Sequence, residues 1–161
     1  MNILYLHGLD SNLSNEKKQV LEPFGTIIAP DLDYRTNPNM IETLFNGYAN
    51  QNIDLIIGSS MGGFAGFYLS KLLQTPALLF NPALPYRTSV SQNIPIIKDE
   101  HKELLQIVIG NQDDIIRAED NLAFIMKLLP LKNDFRLHLI AELGHGIPLA
   151  VFESEVNLFF N

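Results

Sequence analysis

The chain has 161 residues, of which 47% are hydrophobic and 18% charged, so a packed core is expected and disorder is not. Its 11 basic and 18 acidic residues leave a net charge of −7, which argues against a polyanion-binding surface, because phosphate contacts need clustered Lys and Arg. Cysteine is absent, which excludes a disulfide framework, thiolate metal sites and a cysteine nucleophile. The apolar runs fall far short of the ~18 residues of a membrane helix. The first seven residues have neither the basic region nor the apolar length of a signal peptide. The expectation is a soluble, cytoplasmic protein forming one domain over 1–161, with no nucleic-acid or membrane partner.

Short apolar runs at 2–6, 26–29, 53–57, 77–80, 104–109 and 135–140 alternate with helix-compatible stretches at 15–21, 38–49, 61–73, 119–129 and 148–160. Most runs are nearly continuous in Ile, Leu and Val, as strands buried on both faces are. Pro38 and Pro148 suit first helical positions. In the last stretch Leu149, Phe152, Val156 and Phe159 share a helical stripe, with Glu153 and Glu155 off it. The alternation predicts an α/β fold: three layers, α/β/α, around a mostly parallel sheet of about six strands. Ligands of such sheets bind beyond the carboxyl ends of the strands, so chemistry is sought just after each run.

After the first run comes His7-Gly8-Leu9, a turn whose Leu9 N–H suits an oxyanion donor, with His7 ordering the loop. After the third comes Gly58-Ser59-Ser60-Met61-Gly62-Gly63. This matches G-x-S-x-G, a strained strand-to-helix turn that exposes a serine hydroxyl and needs small neighbours. Ser60 is centred between the glycines and Ser59 is not; the Met61 N–H is a natural oxyanion donor. The competing account of Gly62, Gly63 and Gly66 is close packing of a buried helix on the sheet. After the fifth run, Asn111-Gln112-Asp113-Asp114 offers the carboxylate that a serine–histidine pair needs. Asp113 fits best and Asp114 is the fallback. After the sixth, His145 stands between Gly144 and Gly146. Of the other histidines, His101 lies in a charged run expected to be solvated, and His138 lies inside a strand. The order Ser60, Asp113, His145 is that of serine hydrolases built on a parallel sheet.

Together with Asn81-Pro82-Ala83, these segments resemble the α/β-hydrolase superfamily, and more narrowly the small bacterial YqiA/YcfP-type esterases. The resemblance implies a minimal α/β-hydrolase fold without a lid domain. It also implies a Ser60, Asp113, His145 triad, Leu9 and Met61 as oxyanion donors, no cofactor and no metal, and carboxylic-ester hydrolysis. About 23 residues, 81–103, separate the fourth and fifth runs, where larger relatives often insert a lid. An open, shallow site is expected unless a homodimer covers it. Leu84, Tyr86 and Ile147 follow strands in loops and are the expected pocket walls. The leading function is a serine esterase acting on small acyl esters or thioesters; the alternatives are a non-catalytic small-molecule binding protein on the same fold and an acyltransferase using the same triad.

Overall fold

The computed structural model describes residues 1–86, 90–97, 101–128 and 134–161, and of residue 86 the backbone alone. The strands are β1 (Asn2–Leu6), β2 (Thr26–Ile28), β3 (Leu55–Ser59), β4 (Ala77–Phe80), β5 (Leu105–Gly110) and β6 (Phe135–Ile140). The helices are α1 (Asn15–Leu21), α2 (Met40–Tyr48), α3 (Met61–Leu73), α4 (Ala118–Met126) and α5 (Leu149–Phe160). The strands form one sheet in the order β2-β1-β3-β4-β5-β6, and every pairing is parallel.

Alternate strand residues feed two cores, because side chains point to opposite faces in turn. Leu4, Leu6, Ile56, Leu79 and Ile107 pack with Ile41 of α2, Phe64 and Phe67 of α3 and Ile125 of α4. On the other face Ile3, Tyr5, Ile57, Leu78 and Val108 meet Leu21 of α1 and Phe152 and Val156 of α5. This is the expected three-layer α/β/α architecture. Residues of β4 and β5 are buried throughout, which explains their lack of polar alternation. From β1 the chain moves outward to β2, then crosses back to β3 on the other side of β1 and continues to β6. Helices α1 and α3 therefore leave the sheet on opposite faces, and a crevice opens beyond the carboxyl ends of β1 and β3.

Several expectations are corrected. The third strand begins at Leu55, because Ile53 N–H is committed to a turn with Gln51 O. Pro38 precedes the N-cap Asn39 of α2, and Pro148 is itself the N-cap of α5, so neither occupies a first helical turn. His101 is only 1% exposed. Its Nε2 lies 3.3 Å from Ser70 Oγ of α3, whose own proton goes to Thr75 O. Glu155 is buried as well, accepting from Gln106 Nε2 at 2.8 Å and pairing with His138 Nδ1 at 2.7 Å.

Candidate active site

The loop after β1 is fixed by His7. Its Nδ1–H donates to Gly8 O (2.7 Å), and its Nε2 accepts from Leu32 N–H (2.9 Å). Tyr34 OH donates to His7 O (3.0 Å). With both ring nitrogens occupied, His7 is scaffolding that presents Gly8 and Leu9 to the crevice.

The turn from β3 into α3 is built around Ser60, which has φ 55° and ψ −118°. A non-glycine residue there is strained by about 1–3 kcal/mol and persists only where its surroundings enforce it. They do so here: Ser60 N–H donates to Phe80 O (3.0 Å), while Ser60 O accepts from Phe64 N–H (2.9 Å) and Ala83 N–H (3.0 Å). The flanking glycines are steric necessities. A Cβ on Gly58 would sit 2.3 Å from Gly62 O, and one on Gly62 would sit 1.9 Å from Leu6 O. The packing account of Gly62 and the exposed-serine account are thus one arrangement, since the helix must approach the end of β1 to form the turn. Met61 opens α3, so its N–H has no intrahelical acceptor.

Asp113 and His145 meet beyond β5 and β6. His145 Nδ1–H donates to Asp113 Oδ2 at 2.8 Å. Asp113 Oδ1 accepts from the N–H groups of Ile115 (2.9 Å) and Ile116 (2.8 Å). The Asp113 side chain is 0% exposed and that of His145 24%, so a buried carboxylate orients a partly accessible imidazole through Nδ1. Asp114 is exposed and is not the partner.

Asn81, which directly follows β4, has a structural task there. It is fully buried at φ 41°. Its Oδ1 accepts from Gly110 N–H (2.7 Å), and its Nδ2 donates to Gly144 O (2.8 Å) and His145 O (3.2 Å). One side chain thereby ties the end of β5 to the histidine loop. The signal was an Asn-Pro step directly after a buried strand, where αL backbone favours Asn.

Ser60, His145, Leu9 and Ile147 line one cleft of about 390 Å³ together with Tyr5 and Lys17. Burial pushes the Tyr5 phenol up to about 12, so it stays protonated at neutral pH. Of the expected walls, Ile147 lines this cleft. Leu84 does not: it is 1% exposed and folds back into the core with Phe64 and Phe67, in a turn where Ala83 N–H bonds Ser60 O. The Tyr86 side chain lies outside the described residues. A larger groove of about 490 Å³ runs along α2, between Leu32 and Tyr48, and among the described residues it is lined by no histidine or serine.

This sheet and its serine turn define an α/β-hydrolase fold. The chain belongs to the uncharacterised protein family UPF0227, whose model matches residues 2–109. That span includes the Ser60 turn and excludes Asp113 and His145. No curated protein matches the sequence. Solved structures similar to it include SOBER1 of Arabidopsis thaliana, 14% identical with a TM-score of 0.72 over 100% of this chain and 99% of that one. Est1E from Butyrivibrio proteoclasticus is 16% identical, with a TM-score of 0.71 over 99% of this chain and 86% of its own. A carboxylesterase from Mesorhizobium loti is 16% identical, with a TM-score of 0.70 over 99% of this chain and 87% of its own. At these identities the likeness is one of fold.

Proposed function

We propose that this chain is a serine hydrolase that cleaves small carboxylic esters or thioesters through an acyl-enzyme on Ser60. The observation that carries the reading is the 2.8 Å bond from His145 Nδ1 to buried Asp113, in a cleft that His145 shares with a backbone-strained serine. The Asp113 carboxylate fixes the imidazole with its proton on Nδ1, so Nε2 carries the free lone pair that a general base needs. As Ser60 Oγ attacks the substrate carbonyl, its proton passes to Nε2, and Asp113 stabilises the imidazolium that results. The carbonyl oxygen becomes an oxyanion facing the N–H groups of Leu9 and Met61, at the positively polarised start of α3. Collapse expels the alcohol or thiol, which takes the proton from Nε2. Water then attacks the acyl-enzyme with Nε2 again as base, releasing the acid and restoring Ser60.

A fluorophosphonate probe should phosphonylate Ser60 Oγ with loss of fluoride, adding the probe's mass to the peptide that contains it. Ser60→Ala should lose both labelling and hydrolysis of p-nitrophenyl butyrate. Failure of folded wild-type protein to label at pH 8 would count decisively against the proposal.

A further inference from the structure

The acidic balance of the chain is absent from its cleft. Of 29 ionised Asp, Glu, Lys and Arg side chains, 18 are acidic, yet among the described residues the cleft lined by Ser60 and His145 has no Asp or Glu in its walls and one lysine, Lys17. Three carboxylates of the neighbouring segments are engaged elsewhere. Asp10 pairs with Arg35 at 2.8 Å, Asp113 is turned to His145, and Glu16 is held by its own backbone N–H and by Ser14 at the exposed start of α1.

Lys17 is placed by the fold. It sits in the first turn of α1, where its N–H donates to the Ser14 cap (3.3 Å). Its half-buried side chain brings Nζ to 5.4 Å from the centroid of the Phe152 ring. Phe152 is 1% exposed and packs against Tyr5 and Phe80, so this anchor is rigid. Burial lowers Lys17 from the ordinary lysine range, the mark of an ammonium that has given up part of its water. Among the described residues no carboxylate lies within ion-pair distance of it. A ring face replaces lost hydration only in part, and a partly desolvated cation binds an anion more strongly than an exposed one does. Asn12 beside it on the cleft wall adds an amide donor.

We propose that the cleft takes acyl esters bearing a carboxylate, and that Lys17 is the residue that receives that carboxylate. This specificity rests on the serine-hydrolase reading above and narrows its substrate class. Lysine is a compact point charge with three donors, which suits a single carboxylate.

The test compares two five-carbon acyl esters, mono-p-nitrophenyl glutarate and p-nitrophenyl valerate. The expected kcat/KM ratio is about tenfold in favour of the glutarate, the size of one good charge-assisted contact. Lys17→Met, which keeps an apolar stem over Phe152, should bring the ratio to about one, and so should Lys17→Gln. Lys18→Met, exposed on the same helix, should keep the wild-type ratio. A wild-type ratio at or below one, or a ratio that survives both Lys17 variants, would overturn the proposal. A second measurement needs no turnover. Calorimetry on Ser60→Ala with monomethyl glutarate and methyl valerate should show tighter binding of the anion, lost about tenfold in Ser60→Ala/Lys17→Met. If neither ester is hydrolysed and the fluorophosphonate does not label, the hydrolase reading fails. The calorimetric difference still decides for or against Lys17.

Discussion

Replacing Asp113 with asparagine changes one oxygen into an amide and isolates what the carboxylate does. In the wild type, Oδ1 takes two backbone N–H groups and Oδ2 takes the Nδ1–H of His145. Asparagine keeps its carbonyl oxygen on the two backbone donors, which it cannot forgo in a 0% exposed site, and so turns its NH2 towards Nδ1. Nδ1 must then be an acceptor, the imidazole proton moves to Nε2, and that nitrogen loses the lone pair that the proposed mechanism uses to accept the Ser60 proton. The stabilisation of the imidazolium goes with it. A tautomer fault of this kind costs on the order of 10⁴ in kcat, about 5.5 kcal/mol. The fold should barely register the change: one charge-assisted bond becomes a neutral one, worth about 1 kcal/mol, or roughly 2–4 °C in Tm for a chain of this size. Steady-state hydrolysis of p-nitrophenyl butyrate, with far-UV circular dichroism on the same samples, measures both numbers. Asp114→Asn at the exposed neighbour should stay within about twofold of wild type. Retention of a tenth or more of the activity by Asp113→Asn, or an equal loss in Asp114→Asn, would refute this assignment of roles.

Ser60→Gly should abolish acyl-enzyme formation and raise stability together. It relieves a φ of 55° that costs about 1–3 kcal/mol, against about 0.5–1 kcal/mol for the added freedom of glycine. The net is about 1 kcal/mol, or roughly 2–4 °C in Tm, and calorimetry showing a lower Tm would contradict the strain assigned to the turn. His101 makes stability depend on pH. Burial, with the nearby Lys71 charge adding to it, lowers its pKa from 6.5 to about 4, so the unfolded chain binds this proton more readily than the folded one. The contribution is whole above about pH 6.5 and is lost as pH falls towards 4, by on the order of 3 kcal/mol. Urea titrations across that range should show a shallower pH slope in His101→Phe than in wild type, and parallel slopes would sink the idea.

Features that depend on neighbours in sequence were legible, and those that depend on distant partners were not. The apolar runs marked β1, β4 and β6 to the residue, because helices on both faces or a core beneath leave a direct compositional trace. Ser60 could be read because its turn needs Gly58 and Gly62 within two positions. Asp113 was distinguishable only as the better of two carboxylates; what separates them is a bond to His145, 32 residues away. The task of Asn81 leaves no local trace, since its acceptors at Gly144 and His145 lie more than 60 residues on. His101 and Glu155 misled for a related reason. A charged run and an off-stripe phase both suggest water, yet each side chain finds a buried polar partner across the fold, Ser70 for one and Gln106 with His138 for the other. A buried polar group is tolerated once it is hydrogen-bonded, and helical phase carries no information about that partner.

The short connection from β4 to β5 bears on selectivity in the proposed hydrolase. Of its described residues, Gln92 and Asn93 are tied to the far loop: Gln92 Nε2 donates to Tyr34 O (2.8 Å) and Asn37 O (3.0 Å), and Asn93 N–H donates to Pro38 O (2.7 Å). None of them lines the cleft. Among the described residues, the walls around Ser60 and His145 come from Tyr5 and the β1 loop, from α1 through Lys17, and from Ile115, Gly146 and Ile147, of which Ile115 is 59% exposed. A methylene withdrawn from water contributes about 0.8 kcal/mol, close to fourfold in affinity. That holds only while apolar surface is there to cover it, and on a ledge this short the later carbons of a long acyl chain stay wet. Two covered methylenes would outweigh a tenfold charge contact, whereas wet ones add nothing. In the proposed hydrolase, discrimination is therefore expected to rest more on where a substrate carries charge than on how long it is.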